Sequence, residues 1–367
     1  MIDGGTRPTR AGGPAPTARA ARVARAVLRR LGAAILVVLV TATIVFVAVR
    51  ATGDPLEAIL GGPGSQASAD AVARARSDYG LDQPLIVQYL SQLWRTVTLQ
   101  FGDSYARKQP VSELLAANVP PTVLLASLAL ILAWLLALGG ALLAATQRGR
   151  IGRAVRAALS GIETIVSVTP HFFLGAVLIL VFASGLGFFP ATSTGASPAG
   201  LVLPVVTLAV PIAGYLAHVM HGSLEEADLA PFATTARARG ASETRVLLSH
   251  TLRHAALPAL ALSGWAYGSL LSGAVVVEAL FARPGLGRML LEATMVRDVP
   301  VVIGGVTVIA LLYVAVMLVT ELLEPLVDPR LRAVRVPGTA AGESTTRTHS
   351  AGTHPAGTHS AGTEGTA

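Results

Sequence analysis

Cysteine is absent from the 367-residue chain, lysine occurs once, at Lys108, and only 13% of the residues are charged. Without cysteine there is no disulfide, no Cys-ligated zinc and no thiol nucleophile. A Walker A loop is excluded as well, because Lys108 is followed by Gln109 and no Gly-rich loop precedes it. HExxH and GxSxG signatures are missing, so the chain should hydrolyse neither ATP nor an ester by those routes. Soluble domains carry about 25% charge. This chain has half of that, 52% hydrophobic residues and a mean hydropathy of +0.61. Its main solvent is lipid.

What is present is long apolar runs. A helix needs about 20 apolar residues to cross a hydrocarbon core about 30 Å thick. Six segments qualify: 31–49, 122–146, 161–183, 201–220, 258–281 and 299–323. The first resembles the apolar region of a signal peptide, but it outruns the usual run of about 7 to 15 residues and reads as an uncleaved anchor.

The net charge of +7 is almost wholly arginine. Basicity of this kind suits nucleic acid, yet in a multi-span chain it is more simply the cytoplasmic arginine bias. Seven arginines precede the first run, and four lie in each of the connections 147–160 and 221–257. The 184–200 connection has none. The positive-inside rule then puts both termini in the cytoplasm and residues 50–121 outside.

The expected organisation is a basic N-terminus (1–30), a first span (31–49), an external lobe (50–121), a core of five spans (122–332) and a tail (333–367). The lobe should hold a helix over 69–78 and an amphipathic stretch over 85–99, with Pro120 and Pro121 at the start of the second span. The tail is low-complexity and should be disordered. Its His349, His354 and His359 recur every five residues, but no rigid metal geometry follows from that.

One connection, 222–257, breaks the hydrophobic pattern with far more chain than a join requires. Pro231 suits a first helical turn, and Arg237 and Arg239 suit its C-terminal end. Gly240 falls where a left-handed residue ends a helix, and Ser242 can cap the next one. The pattern predicts helix, glycine, helix, with basic residues beside the hinge.

In that segment ARARG (residues 236–240), Ser242, His250 and Pro258 resemble the loop by which permease subunits of ATP-binding-cassette importers engage their ATPases. The chain resembles the first of the two permeases in oligopeptide, dipeptide and nickel importers. The likeness runs through GDP (53–55), YGLDQPLIVQY (79–89), FGDSY (101–105) and PVSELLAANVPPT (110–122). It continues in GAVVVEALFARPGLGRML (273–290), RDVP (297–300) and DPRLR (328–332). Departures stand at His221, Pro231, Phe232, His254, Glu321 and Glu324. The resemblance implies an all-α fold with a six-helix, type I permease core, and an ATPase-coupling site at Ala236, Arg237, Ala238, Arg239, Gly240, Ser242, His250 and Pro258. It also implies a second permease, two cytoplasmic ATPases carrying ATP and magnesium, and an external solute-binding protein. No cofactor is expected on this chain, and no nucleic acid as partner.

Other residues carry competing readings. His218, His221 and Glu225 share one helical face as metal ligands would, but a polar face at headgroup level is the simpler account. Gly264, Gly268 and Ser272 recur every four residues, which suits close helix packing or a pathway lining. Glu163 and Glu278 are charges near span ends, costly unless wet or paired. Pro284, Gly285 and Gly287 should form a tight outer turn, near the pathway mouth by resemblance, followed by Arg297 and Asp298. Rival functions are an ion-coupled secondary transporter, which would need ionisable groups near mid-membrane where spans one, two, five and six have none, and a metal-dependent membrane enzyme using His218 and His221.

Overall fold

A computed structural model describes residues 16–52, 56–60, 67–146, 149–194 and 197–327. The tail, the GDP and DPRLR motifs and the tail histidines lie outside the described residues, as do the side chains of Glu321 and Glu324. Among the described residues the fold is all helix, with one isolated bridge between Asp103 and Pro110. In chain order the helices are α1 (Pro16–Thr52), α2 (Leu56–Ile59), α3 (Ala69–Asp78), α4 (Leu85–Val97), α5 (Val111–Thr146) and α6 (Gly149–Val168). Then come α7 (His171–Leu178, continuing as a wide turn over Ile179–Gly185), α8 (Ala199–Leu229), α9 (Pro231–Ala238) and α10 (Glu243–Val246). A second wide turn, Leu247–Thr251, leads into α11 (Leu252–Leu280), followed by α12 (Leu286–Met295) and α13 (Val299–Val327).

Sequence pattern explains the packing. Ala129, Ala133, Ala137 and Ala141 of α5 recur every four residues and are all fully buried, so one smooth face approaches its neighbour closely. That neighbour is α8, which also packs on α6, α7 and α11. In α8 67% of the apolar window is buried, against 28% in α5, so α8 is the centre of the bundle. A second apolar cluster joins Phe101, Val111 and Leu114 to Met289 of α12, Val302 and Ile303 of α13 and Ala42 of α1.

Among the described residues, four continuous helices are long and apolar enough to cross a membrane: Val111–Thr146, Ala199–Leu229, Glu243–Leu280 and Val299–Thr320. The expected third span, 161–183, is not one straight helix, since α6 and the α7 segment meet at 105°. Pro170 caps α7 in extended conformation, lacks an N–H, and disfavours helix at Thr169, so the chain bends there. The first expected span, 31–49, lies within α1, where Ile35–Ala48 is an apolar stretch among the described residues. The second span begins earlier than expected. Pro120 and Pro121 lie inside α5, because residues 111–119 stay helical to bury Val111, Leu114 and Leu115. Pro258 likewise sits inside α11 rather than at a span start. The charged connection contracts accordingly: α8 runs to Leu229, and beyond the short α9 the next spanning helix starts at Glu243.

Candidate functional site: a rigid elbow and a carboxylate clamp

The elbow forms as its local sequence requires. Ala230 caps α9 in extended conformation with Pro231 in the first turn, and Arg239 ends it. Gly240 has φ +82, with nothing within 4 Å of the place a Cβ would take. Its glycine is therefore demanded by backbone alone. Ser242 caps α10, its hydroxyl accepting from Arg245 N at 3.4 Å. Ala238, Arg239 and Gly240 are exposed, and Ala236 is half-buried. His250 sits in the wide turn before α11, its Nδ1 buried without a partner.

Arg237 differs from its neighbour Arg239. Its guanidinium donates to the Asp228 carboxylate and, at 3.0 Å, to the Asp228 carbonyl; its Nε donates to Glu243 at 3.2 Å. One side chain thereby ties the end of α8 to the start of α10 across the hinge. The Phe232 and His254 rings also meet here, 4.5 Å apart. The elbow is a braced handle on the ends of two bundle helices, with Arg239 left facing outward. A groove lined by Phe232, Ala236, Arg239, Arg245 and His250 runs alongside.

At the far end of α11, Glu278 is fully buried. Its carboxylate accepts from Thr122 Oγ1 at 2.5 Å, Gly287 N at 2.8 Å and Arg288 N at 3.1 Å. Thr122 Oγ1 in turn accepts from Leu286 N at 2.8 Å. Glu278 thus caps α12 and locks the turn against α5. A Cβ on Gly285 would stand 2.2 Å from the Glu278 carboxylate, and one on Gly287 2.4 Å from the Val275 backbone. The turn needs these glycines for close approach, since Gly285 itself is extended; the left-handed residue is Ala282, at φ +50. Pro284 is exposed. Buried Arg283 donates to Ser193 Oγ at 2.9 Å; burial pushes its pKa down while the Glu278 charge pulls it up.

Asp298 is buried where α13 begins. It accepts from Ser104 Oγ at 2.5 Å, Tyr105 N at 3.0 Å and Ala106 N at 3.1 Å, pinning the lobe to the core. Burial, aided by the Asp298 charge, raises the Tyr105 phenol to about 12. Arg297 beside it is left-handed, at φ +58.

Gly264 and Gly268 face α13 within this chain: Cβ atoms there would lie 2.9 Å from Thr320 Oγ1 and 2.4 Å from the Tyr313 ring. Ser272 is exposed and off that contact. Glu163, buried at 6% exposure, is 2.9 Å from His221 Nδ1. That contact pairs His221 with a carboxylate, and no group of three metal-type side chains exists among the described residues. Sequence reasoning missed the Glu163–His221, Arg237–Glu243, Thr122–Glu278 and Ser104–Asp298 contacts. Three of these join distant parts of the chain and leave no local signal.

A bundle of helices long and apolar enough to cross a membrane, with a braced elbow between α8 and α11, is the architecture of a membrane protein. The chain belongs to the binding-protein-dependent transport system inner membrane component family, which it matches over residues 137–333, with that family's N-terminal region matching over 23–126. It is the permease subunit of an ABC importer, a multi-pass protein of the cytoplasmic membrane. A putative peptide transport system permease protein of Brucella abortus (strain 2308) is 34% identical over 316 residues, covering 83% of this chain and 98% of that protein. The glutathione transport system permease protein GsiC of Salmonella choleraesuis (strain SC-B67) is 34% identical over 311 residues, with the same coverages. A crystal structure of an amino acid ABC transporter with histidines aligns at TM-score 0.44 and 18% identity, over 60% of this chain and 94% of that one.

Proposed function

We propose that this permease carries peptides or similar small solutes, taken from an external binding protein, along a pathway formed with a second permease. The relatives' names, peptide and glutathione transport, support that cargo class. Two cytoplasmic ATPases, which hold the ATP and magnesium, dock on the elbow between Ala236 and His254, and both chain termini face the cytoplasm. The observation that carries the docking assignment is the bracing of an exposed Arg239 and Gly240 hinge by Arg237, which holds Asp228 and Glu243 at once. A handle tied to both α8 and α11 passes displacement into the bundle as rigid-body motion, rather than losing it in a soft loop. Closure of the ATPase dimer then favours one of two bundle states over the other.

The experiment is ATP-driven uptake in proteoliposomes of the assembled importer carrying Arg239→Glu. Membrane amounts should stay normal while uptake falls at least about tenfold, equivalent to about 1.4 kcal/mol of coupling. Full uptake by this variant would reject docking at the elbow. Uptake by the permease pair without ATPases would instead support ion-coupled transport.

A further inference from the structure

Helix α4 carries a single charge, Arg95, and two faces of unlike environment. On the inner face Tyr89 Oη lies 2.8 Å from Thr43 Oγ1 of α1, and its ring is 5.5 Å from that of Phe46. Gln88 accepts from Arg50, Leu93 packs on the cluster holding Ala42, and Thr96 is fully buried. The opposite face, Ile86, Leu90, Trp94 and Val97, is between 51% and 70% exposed, and no described element covers it.

Depth decides what does. Thr43 lies within the apolar stretch Ile35–Ala48 of α1. It is seven residues before Arg50, or about 10 Å along a helix. Gln88 is therefore level with Arg50, at the polar end of α1, and Tyr89 reaches the hydrocarbon level beneath it. On α1 itself Ile44 and Val47 are likewise bare, at 62% and 59% exposure. A helix holding on to a membrane span at that depth presents its outer face to the same solvent as the span.

We propose that α4 is embedded in the bilayer leaflet at the Arg50 end of α1, its Ile86–Leu90–Trp94–Val97 face seated on phospholipid acyl chains. Trp94 and Arg95 suit the boundary between acyl chains and headgroups. The segment 50–121 is then only partly extramembrane. The inference rests on the chain lying in a membrane, not on how its transport is driven, so a failed uptake test leaves it standing.

The lack of cysteine in the chain allows a clean test. Leu90→Cys and Trp94→Cys, each in the full chain in phospholipid nanodiscs, receive one nitroxide label, with Arg74→Cys on exposed α3 as control. Collisions with oxygen should exceed those with a water-soluble nickel chelate at positions 90 and 94, and the order should reverse at 74. Dominance of the nickel chelate at 90 and 94 would overturn the proposal, placing the face in water. Shielding from both reagents would also overturn it, in favour of a protein partner. Should the cysteine variants fail to insert, Trp94 fluorescence in the Trp134→Phe, Trp265→Phe chain provides a second reading. Quenching by brominated acyl chains supports the assignment, whereas quenching by iodide alone refutes it.

Discussion

The ring of Phe232 lies 4.5 Å from the ring of His254, tilted by 33°. The contact joins α9 to α11. An aromatic pair of this kind contributes about 0.5–1.5 kcal/mol beyond the area it buries. Phe232→Ala should therefore lower ATP-driven uptake by roughly two- to tenfold at unchanged membrane amounts, and His254→Ala should add little more in the double variant.

Gly240 occupies a left-handed conformation with open space around it, so a substitution there is opposed by backbone energy and not by a clash. Asparagine tolerates that region and valine does not. Gly240→Asn should retain most uptake, while Gly240→Val should lose it. A proteoliposome assay ranking the two the other way would contradict this account of the hinge.

Glu278 holds three donors in a fully buried pocket. Truncating the carboxylate leaves buried donors unpaired, at a cost of about 1–3 kcal/mol for each one left without a partner. Glu278→Ala should markedly reduce thermal stability in detergent and the amount of assembled importer. Gly285→Ala places a methyl against the same carboxylate and should cost about 1–3 kcal/mol. Thermal unfolding of the purified variants measures both.

The Gly268 position is filled by the Tyr313 ring. Gly268→Val should push α11 from α13 and lower stability, and Tyr313→Ala should restore part of the loss in the double variant. Ser272→Val, on an exposed position, should be close to neutral for stability. If all three singles behave alike in thermal unfolding, the packing assignment fails.

Asp298 anchors Ser104, Tyr105 and Ala106. Asp298→Ala should release that corner of the lobe, seen as faster amide hydrogen exchange across 104–108 with α8 unchanged.

Much of this was legible in the residues. The elbow followed from single-residue chemistry: a proline at a first turn, a glycine at a left-handed stop, a serine at a cap. The limits of α3 followed in the same way. What failed in the sequence reading were long-helix boundaries, where proline was read as a start and tertiary burial carried helix past it, at Pro121 and at Pro258.

From the sequence alone it follows that the chain lives in lipid, that it lacks the groups for ATP hydrolysis by a Walker A loop, and that its 222–257 connection holds a helix–glycine–helix elbow. Those follow from composition and from rules acting within a few residues. Tertiary structure alone decided the partners of Glu278, Glu163 and Asp298, and the facing of Gly268 onto Tyr313. A buried carboxylate takes whatever donors the fold brings to it, and a small residue marks a close approach without naming what approaches. Pairings of that kind, up to 194 residues apart, are fixed by how helices pack.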